Sequence, residues 1–163
     1  MMNAEQRRAF VRQHRTCIFG YQRRQGPPSM SVVYYKVHGD EIVISTMAER
    51  AKAKAVQRLG EVSLCVLDEQ WPLTYRQVSG SARIDTDFDR VVDLMLEVGE
   101  LMSGQKIPPA ALPIAEGMAR KEKRVVIRFT PERTVYTPPQ HLRAGDDGSE
   151  LVHGLAQRMP WRE

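Results

Sequence analysis

Along residues 16–84, short β-favouring runs follow one another so closely that a single interval between them is long enough for a helix. TCIFGY at 16–21 is followed by Gln25-Gly26-Pro27-Pro28, where glycine and fixed proline φ angles supply a turn, and SMSVVYYKV at 29–37 reads as a second strand paired to the first. His38-Gly39-Asp40 turns the chain into a third strand at 41–46, in which Ile42 and Ile44 alternate with Val43 and Ser45. Residues 48–59 are rich in alanine, lysine and arginine, good helix formers, and Gly60 is placed to stop the helix. A fourth strand at 61–67, a loop at 68–72 carrying Trp71 and a longer strand at 73–84 come next, with Gly80 marking a bulge or a close backbone approach. Such a succession predicts a largely antiparallel barrel, not a doubly wound parallel sheet.

The flanks read differently. Residues 4–13 form a short helix anchored by Phe10 and Val11. Thr86 is a helix cap, after which Phe88, Val91, Val92, Met95, Val98 and Met102 recur at helical spacing, with Asp87 and Asp89 in the first turn. This helix is expected to lie against the barrel. Residues 105–113, with three prolines, read as an irregular crossing loop, and RVVIRFT at 124–130 as a final strand that closes or edges the barrel. Pro131, Pro138 and Pro139 then keep the chain extended. RAGDDGSE at 143–150 is polar and expected to be mobile, and 151–161 is expected as a short docking helix or as disorder. The resulting division is a barrel domain at 1–142 and a polar tail at 143–163.

At 163 residues the chain is long enough to enclose a core without staples. It has no apolar run of about 18 residues, and its amino terminus, MMNAEQRRAFVRQHR, has no apolar signal core, so a cytoplasmic protein without a membrane span is expected. Cys17 and Cys65 are too few for a disulfide framework and read as buried thiols. The four histidines are scattered, so no metal site is expected. A formal charge of +4 favours anionic partners without choosing among them. A nucleic-acid-binding barrel would interleave aromatics with cations on one face. Here 7% of residues are aromatic and they are dispersed, which sets that reading last.

The segment EIVISTMAERAKAKAVQRLGEVSLCVL at 41–67 carries the candidate chemistry. A strand ending in Ser45 and Thr46 runs into a helix bearing Arg50, Lys52 and Lys54. Unpaired N–H groups and the dipole at a helix N-terminus favour an anion, and the cations add charge-assisted hydrogen bonds. The bland alternative is a solvated cationic helix face.

The glycine-proline turn, the strand from Ser29, the Ser45-Thr46 strand end, Arg50-x-Lys52, Val62-Ser63-Leu64 and Gln77-Val78-Ser79-Gly80 occur in an order that resembles a known family. It is the flavin- and deazaflavin-binding split-barrel family that includes pyridoxamine 5′-phosphate oxidase and the F-420-dependent reductases. The resemblance implies a split antiparallel β-barrel of about six strands with flanking helices, mainly β in an α+β chain. Carried over by position, the backbone of Met30, Ser31, Val32 and Val33 would lie along the cofactor ring, and Ser45 and Thr46 would bond its ribityl or phosphate oxygens. Lys52 would bind the phosphate directly, Arg50 would assist, and Gln77 would reach the ring or its side chain. The chain departs from the oxidase pattern at Ala51, where the oxidase has arginine, and at Ala55, where many members have asparagine. The oxidase's carboxy-terminal tryptophan and arginine have no clear counterpart.

What the resemblance implies for function is an oxidoreductase that uses coenzyme F-420 or FMN to transfer hydride to a small organic molecule, with the cofactor at a homodimer interface. The cofactor would supply the redox chemistry, which fits a sequence without a visible acid–base dyad. The alternative is the same barrel as a non-catalytic carrier, store or sensor of flavin, deazaflavin or haem.

Overall fold

A computed structural model describes residues 3–68, 74–136 and 155–162. Helix α1 (Ala4–Gln13) leads into β1 (Thr16–Tyr21), β2 (Ser29–Tyr34), β3 (Lys36–His38) and β4 (Glu41–Met47). Helix α2 (Ala51–Leu59), β5 (Glu61–Asp68) and β6 (Thr74–Asp85) follow, then α3 (Phe88–Ser103), a 3-10 turn (Pro109–Ala111), α4 (Leu112–Lys121), β7 (Arg124–Tyr136) and β8 (Gln157–Pro160). All pairings are antiparallel, in the order β2-β1-β5-β6-β7-β4-β3, with β8 also on β7. The sheet curls until β2 approaches β4, giving a half-closed barrel with flanking helices, the expected split-barrel class.

Eight strands among the described residues replace the expected six or so, and two local causes account for the difference. The 29–37 run breaks at Tyr35, whose N–H donates to the Arg15 carbonyl (3.1 Å) and whose buried hydroxyl donates to the Val11 carbonyl (2.5 Å). Those bonds turn the backbone toward α1, so Lys36–His38 becomes a separate strand on β4. At the other end, residues 157–160 form β8 on β7, and Trp161 is buried with its N–H on the Glu132 carbonyl. The end of the tail is therefore strand, and the expectation of a helix or disorder over 151–161 is corrected there. Residues 137–154, with Pro138 and Pro139, and the loop with Trp71 lie outside the described residues.

Strand β7 passes through Pro131 without ending there. The register shifts between Ser79 and Gly80, and Gly80 faces Pro131 so closely that a Cβ on it would meet the Thr130 carbonyl oxygen at 2.0 Å. A proline, lacking its N–H, is accommodated at such a bulge, and glycine alone tolerates the contact. The first half of β7 pairs with β4 and its far end with β8.

Alternation along β4 builds two cores. Ile42 and Ile44 join Phe10, Phe19, Leu64, Ile127 and Phe129 inside the barrel, whereas Val43 joins Val126 on the opposite face beneath α3 and α4. Helix α3 buries Val91 and Val92 as its periodicity predicts, and also Leu94, which the predicted stripe leaves out. Its cap is Asp87, not Thr86: the Asp87 carboxylate accepts from the Arg90 N–H at 3.0 Å. Helix α4, within and beyond the expected loop, starts with Pro113 in its first turn, where a missing N–H costs nothing.

Candidate functional site

The barrel is split where two strand edges lack partners. Strand β2 ends the sheet, so one row of its backbone groups faces away from β1. Strand β4 pairs with β3 only through residues 41–43, which leaves the edge of Ile44–Met47 uncovered on that side. Between these edges lies an open cleft of about 380 Å³, lined by Val32, Val33 and Tyr34 of β2, Ser45 and Thr46 of β4, Arg50, Lys52, residues of α3 and α4, and Arg124.

One wall is cationic. Lys52 enters half-buried from α2; its ammonium donates to Ser31 Oγ at 2.8 Å and sits 5.8 Å from the Phe19 ring centroid. Burial, then the neighbouring Arg50, hold its pKa below the usual lysine value, with Cys17 opposing. Arg50 is exposed and has no carboxylate partner among the described residues. Arg124 is engaged by Glu122 at 2.6 Å. Helix α2 begins without a side-chain cap and without an acidic residue in its first turn, so its leading N–H groups add positive potential next to Arg50.

The other wall is apolar. Met95, Val98 and Met102 of α3 and Met118 of α4 face the cations across the cleft. Gly99 belongs to this wall, and its missing side chain lets Ile107 close on α3: a Cβ there would meet Ile107 Cδ1 at 2.6 Å.

Ser45 is the informative residue. The register that puts Ile42 and Ile44 in the barrel turns Ser45 toward the α3 side, and its buried Oγ has no hydrogen-bond partner among the described residues. An unpaired buried hydroxyl costs ~1–3 kcal/mol, a cost that a ligand oxygen at this wall would remove.

Six of the nine residues expected from sequence, Val32, Val33, Ser45, Thr46, Arg50 and Lys52, line this one cleft. Ser31 is tied to it through Lys52. Met30 is 71% exposed and outside the lining. Gln77 is not brought in: it is exposed on the outer face, in line with Cys65 of β5 and Val135 of β7, on a strand three along from β2 in the sheet. The strand period explains this, since burial of Val78 sends Gln77 outward. The sequence reading missed the methionine wall, because a helical apolar stripe looks like core packing until the fold places it. The basic cluster Arg120, Lys121, Lys123 and Arg124, by contrast, suits either a solvated segment or the lining of a cleft for an acidic cofactor tail, and Arg124 lines the cleft.

Of the thiols, Cys17 is buried and pushed up to about 12, by burial first and then by Cys65, while Cys65 is half-buried and raised by burial. Both are therefore protonated at neutral pH and poor nucleophiles. Among the described residues no group of three or more His, Cys, Asp or Glu side chains is placed to hold a metal, and no helix is long and apolar enough to cross a membrane.

Residues 4–137 match the family described as pyridoxamine 5′-phosphate oxidase, and the chain belongs to that family. Curated proteins provide no match. Among solved structures, a conserved hypothetical protein of Mycobacterium tuberculosis is 23% identical, with a TM-score of 0.73 over 91% of this chain and 96% of that one. A protein described as an F420 reductase is 19% identical, with a TM-score of 0.62 over 77% of this chain and 93% of its own. The haem storage protein of Vibrio cholerae is 17% identical, with a TM-score of 0.58 over 80% of this chain and 92% of its own. These likenesses show the split-barrel fold, which serves different chemistries in different hands.

Proposed function

We propose that this chain is an oxidoreductase that holds FMN or the deazaflavin coenzyme F-420 in the cleft between β2 and β4 and passes hydride to a small organic molecule. The observation that carries the reading is the buried, unpartnered hydroxyl of Ser45 on the wall of a cleft that also holds Lys52 and Arg50. A donor awaiting an acceptor, two cations and an apolar wall suit a ligand with a phosphate at one end and a flat, weakly polar ring at the other.

In this reading Lys52 and Arg50 hold the phosphate, and Ser45 donates to an oxygen next to it. Lys52 turns from Ser31 toward the anion, and the anion's charge offsets the burial that depresses its pKa. The uncovered edge of β2 offers backbone groups to ring heteroatoms, while Met95, Val98 and Met102 exclude water from the ring face. When bound, the cofactor supplies the hydride chemistry. The exposed Val32, Met102 and Met118 of the cleft lining, with the exposed Met30 two residues before Val32 on β2, are the face on which a second copy would sit to make a dimer.

The test is the visible absorption spectrum of the purified protein, then titration with FMN and with F-420, each repeated on Lys52→Met. Saturable binding of one cofactor, weakened in the variant, is expected, with reoxidation of the reduced cofactor by some member of an acceptor panel. Binding without turnover would assign the chain to the carrier class, and failure to bind either cofactor would overturn the reading. Light scattering that finds only monomer at micromolar concentration would remove the dimer.

A further inference from the structure

A cavity larger than the cleft just described lies outside it. It is an open hollow of about 830 Å³ between the β1–β2 turn and the outer face of α2, lined by Tyr21, Arg23, Arg24, Lys54, Gln57 and Arg58, among others. Its charge is one-sided: four cations and no carboxylate line it. None of the four is in an ion pair among the described residues, although eleven ion pairs involving other residues occur there. The acidic group that feels Lys54 is Glu49, and Glu49 is itself held by Lys123 at 2.8 Å. Like charges gathered without a counter-charge repel one another, so the arrangement needs a cause.

The turn is also braced. Arg58 donates to the Gln22 carbonyl at 2.8 Å, which ties α2 to the start of the turn. Gly26 takes a φ of 81° in front of Pro27 and Pro28, whose rings stiffen the return into β2. Arg23 and Arg24 therefore project from a constrained hairpin beside the helix that carries Lys54, Gln57 and Arg58. Helical geometry separates this hollow from the cofactor cleft. Residues 54, 57 and 58 lie on the outer face of α2, whereas Lys52 belongs to the inner face with the buried Ala53, Ala55 and Val56.

We infer that the hollow between the β1–β2 turn and α2 is a second anion-binding site, independent of the cofactor cleft, which takes a small oligoanion carrying three or more negative charges. The guanidinium forks of Arg23, Arg24 and Arg58 suit the paired oxygens of phosphate or carboxylate groups, Lys54 supplies a point charge, and Gln57 and the Tyr21 hydroxyl remain for a neutral oxygen. The volume exceeds what one phosphate fills, and four unneutralised cations match a short chain of anionic groups better than a single one.

The probe is inorganic tripolyphosphate, followed by calorimetry and by the shift in thermal unfolding, with orthophosphate for comparison. Saturable one-to-one binding is expected, with orthophosphate at least roughly tenfold weaker and affinity falling as salt rises. Arg23→Gln with Arg24→Gln should weaken tripolyphosphate at least roughly tenfold while leaving unfolding of the free protein unchanged, because neither side chain makes a bond that holds the fold among the described residues. Lys54→Gln, on a different element, should weaken it several-fold. Lys52→Met should leave it unaltered, which separates this site from the cofactor cleft whatever that cleft binds. The inference is overturned if the Arg23/Arg24 variant binds as the parent does, if Lys52→Met abolishes binding, or if orthophosphate binds equally well. A single-stranded oligonucleotide that outcompetes tripolyphosphate at physiological salt would also overturn it, in favour of a nucleic-acid surface.

Discussion

The two ends of strand β4 are finished in opposite ways. Near Ile42 the barrel is plugged: Trp161 and Val11 cover it, Tyr35 is bonded through both N–H and hydroxyl, and the Arg7 guanidinium donates to the Pro160 carbonyl at 3.2 Å. Near Ser45 and Thr46, three and four residues along, the edges are uncovered, a hydroxyl and the Arg50 guanidinium lack partners among the described residues, and Met102 and Met118 face solvent. One sheet thus carries an end where Tyr35 and Arg7 are tied to backbone carbonyls and an end where a hydroxyl and a guanidinium await something from outside. The first holds the fold together, and the second is where a ligand improves on the protein's own contacts.

Substitutions at the plugged end should move stability and leave ligand binding alone, and the reverse should hold at the open end. The largest expected effect is Trp161→Ala, which removes a 4%-exposed indole and should cost ~3–5 kcal/mol in denaturant unfolding. A variant that unfolds like the parent would mean that β8 and Trp161 do not close the barrel. Next comes Lys52→Met. Losing a charged contact should weaken cofactor binding by roughly tenfold to a hundredfold. Its stability should hold or rise, because a partly desolvated ammonium is replaced by a side chain suited to the site beside Phe19. A variant that binds normally would break the distinction between the two ends.

Much of this contrast is legible in the sequence, and the part that is not has physical causes. Alternation in EIVIST and the helix punctuation at Gly60 place Ser45, Thr46 and Lys52 correctly, because each rests on a local rule that the tertiary structure obeys. Helix α4 escapes such rules: LPIAEGMARK contains Pro113 and Gly117 and buries little more than Ala115 and Ala119, so its apolar face gives no clear period. Strand β8, QRMP, is held by backbone pairing with β7, and its side chains do not alternate. The methionine wall needs the relation between α3 and the seam, which no local pattern encodes.

Smaller effects sharpen the comparison further. Ser45→Ala should leave stability within ~0.5 kcal/mol of the parent, since the hydroxyl makes no bond among the described residues, and should weaken cofactor binding roughly threefold to tenfold. Equal cofactor affinity in calorimetry would dismiss Ser45 as a contact. Asp85 lies level with Ser45, across Val126 of β7, and tests a part of the sheet two strands to the side of the cleft. Hydrogen bonds from the Arg90 guanidinium, against some desolvation, and then the Asp87 N–H lower its carboxyl from 3.8 to about 2. Folding therefore favours its ionised form, and that stabilisation is complete above about pH 4 and fades as pH falls toward 2. In denaturant unfolding across this range, Asp85→Asn should be the less stable protein near neutrality, with the gap closing in acid. A gap independent of pH would show that the charge is not what the network uses.

The partner change along β7 has a consequence for shortened versions of the chain. Beyond the Gly80–Pro131 bulge, the side of β7 that β4 no longer reaches is occupied by β8 at Arg133–Tyr136. Removing residues 155–163 would leave that ladder open, ready to accept a strand from another molecule. Such a trimmed protein should self-associate through its sheet, even though everything that lines the cleft is still present.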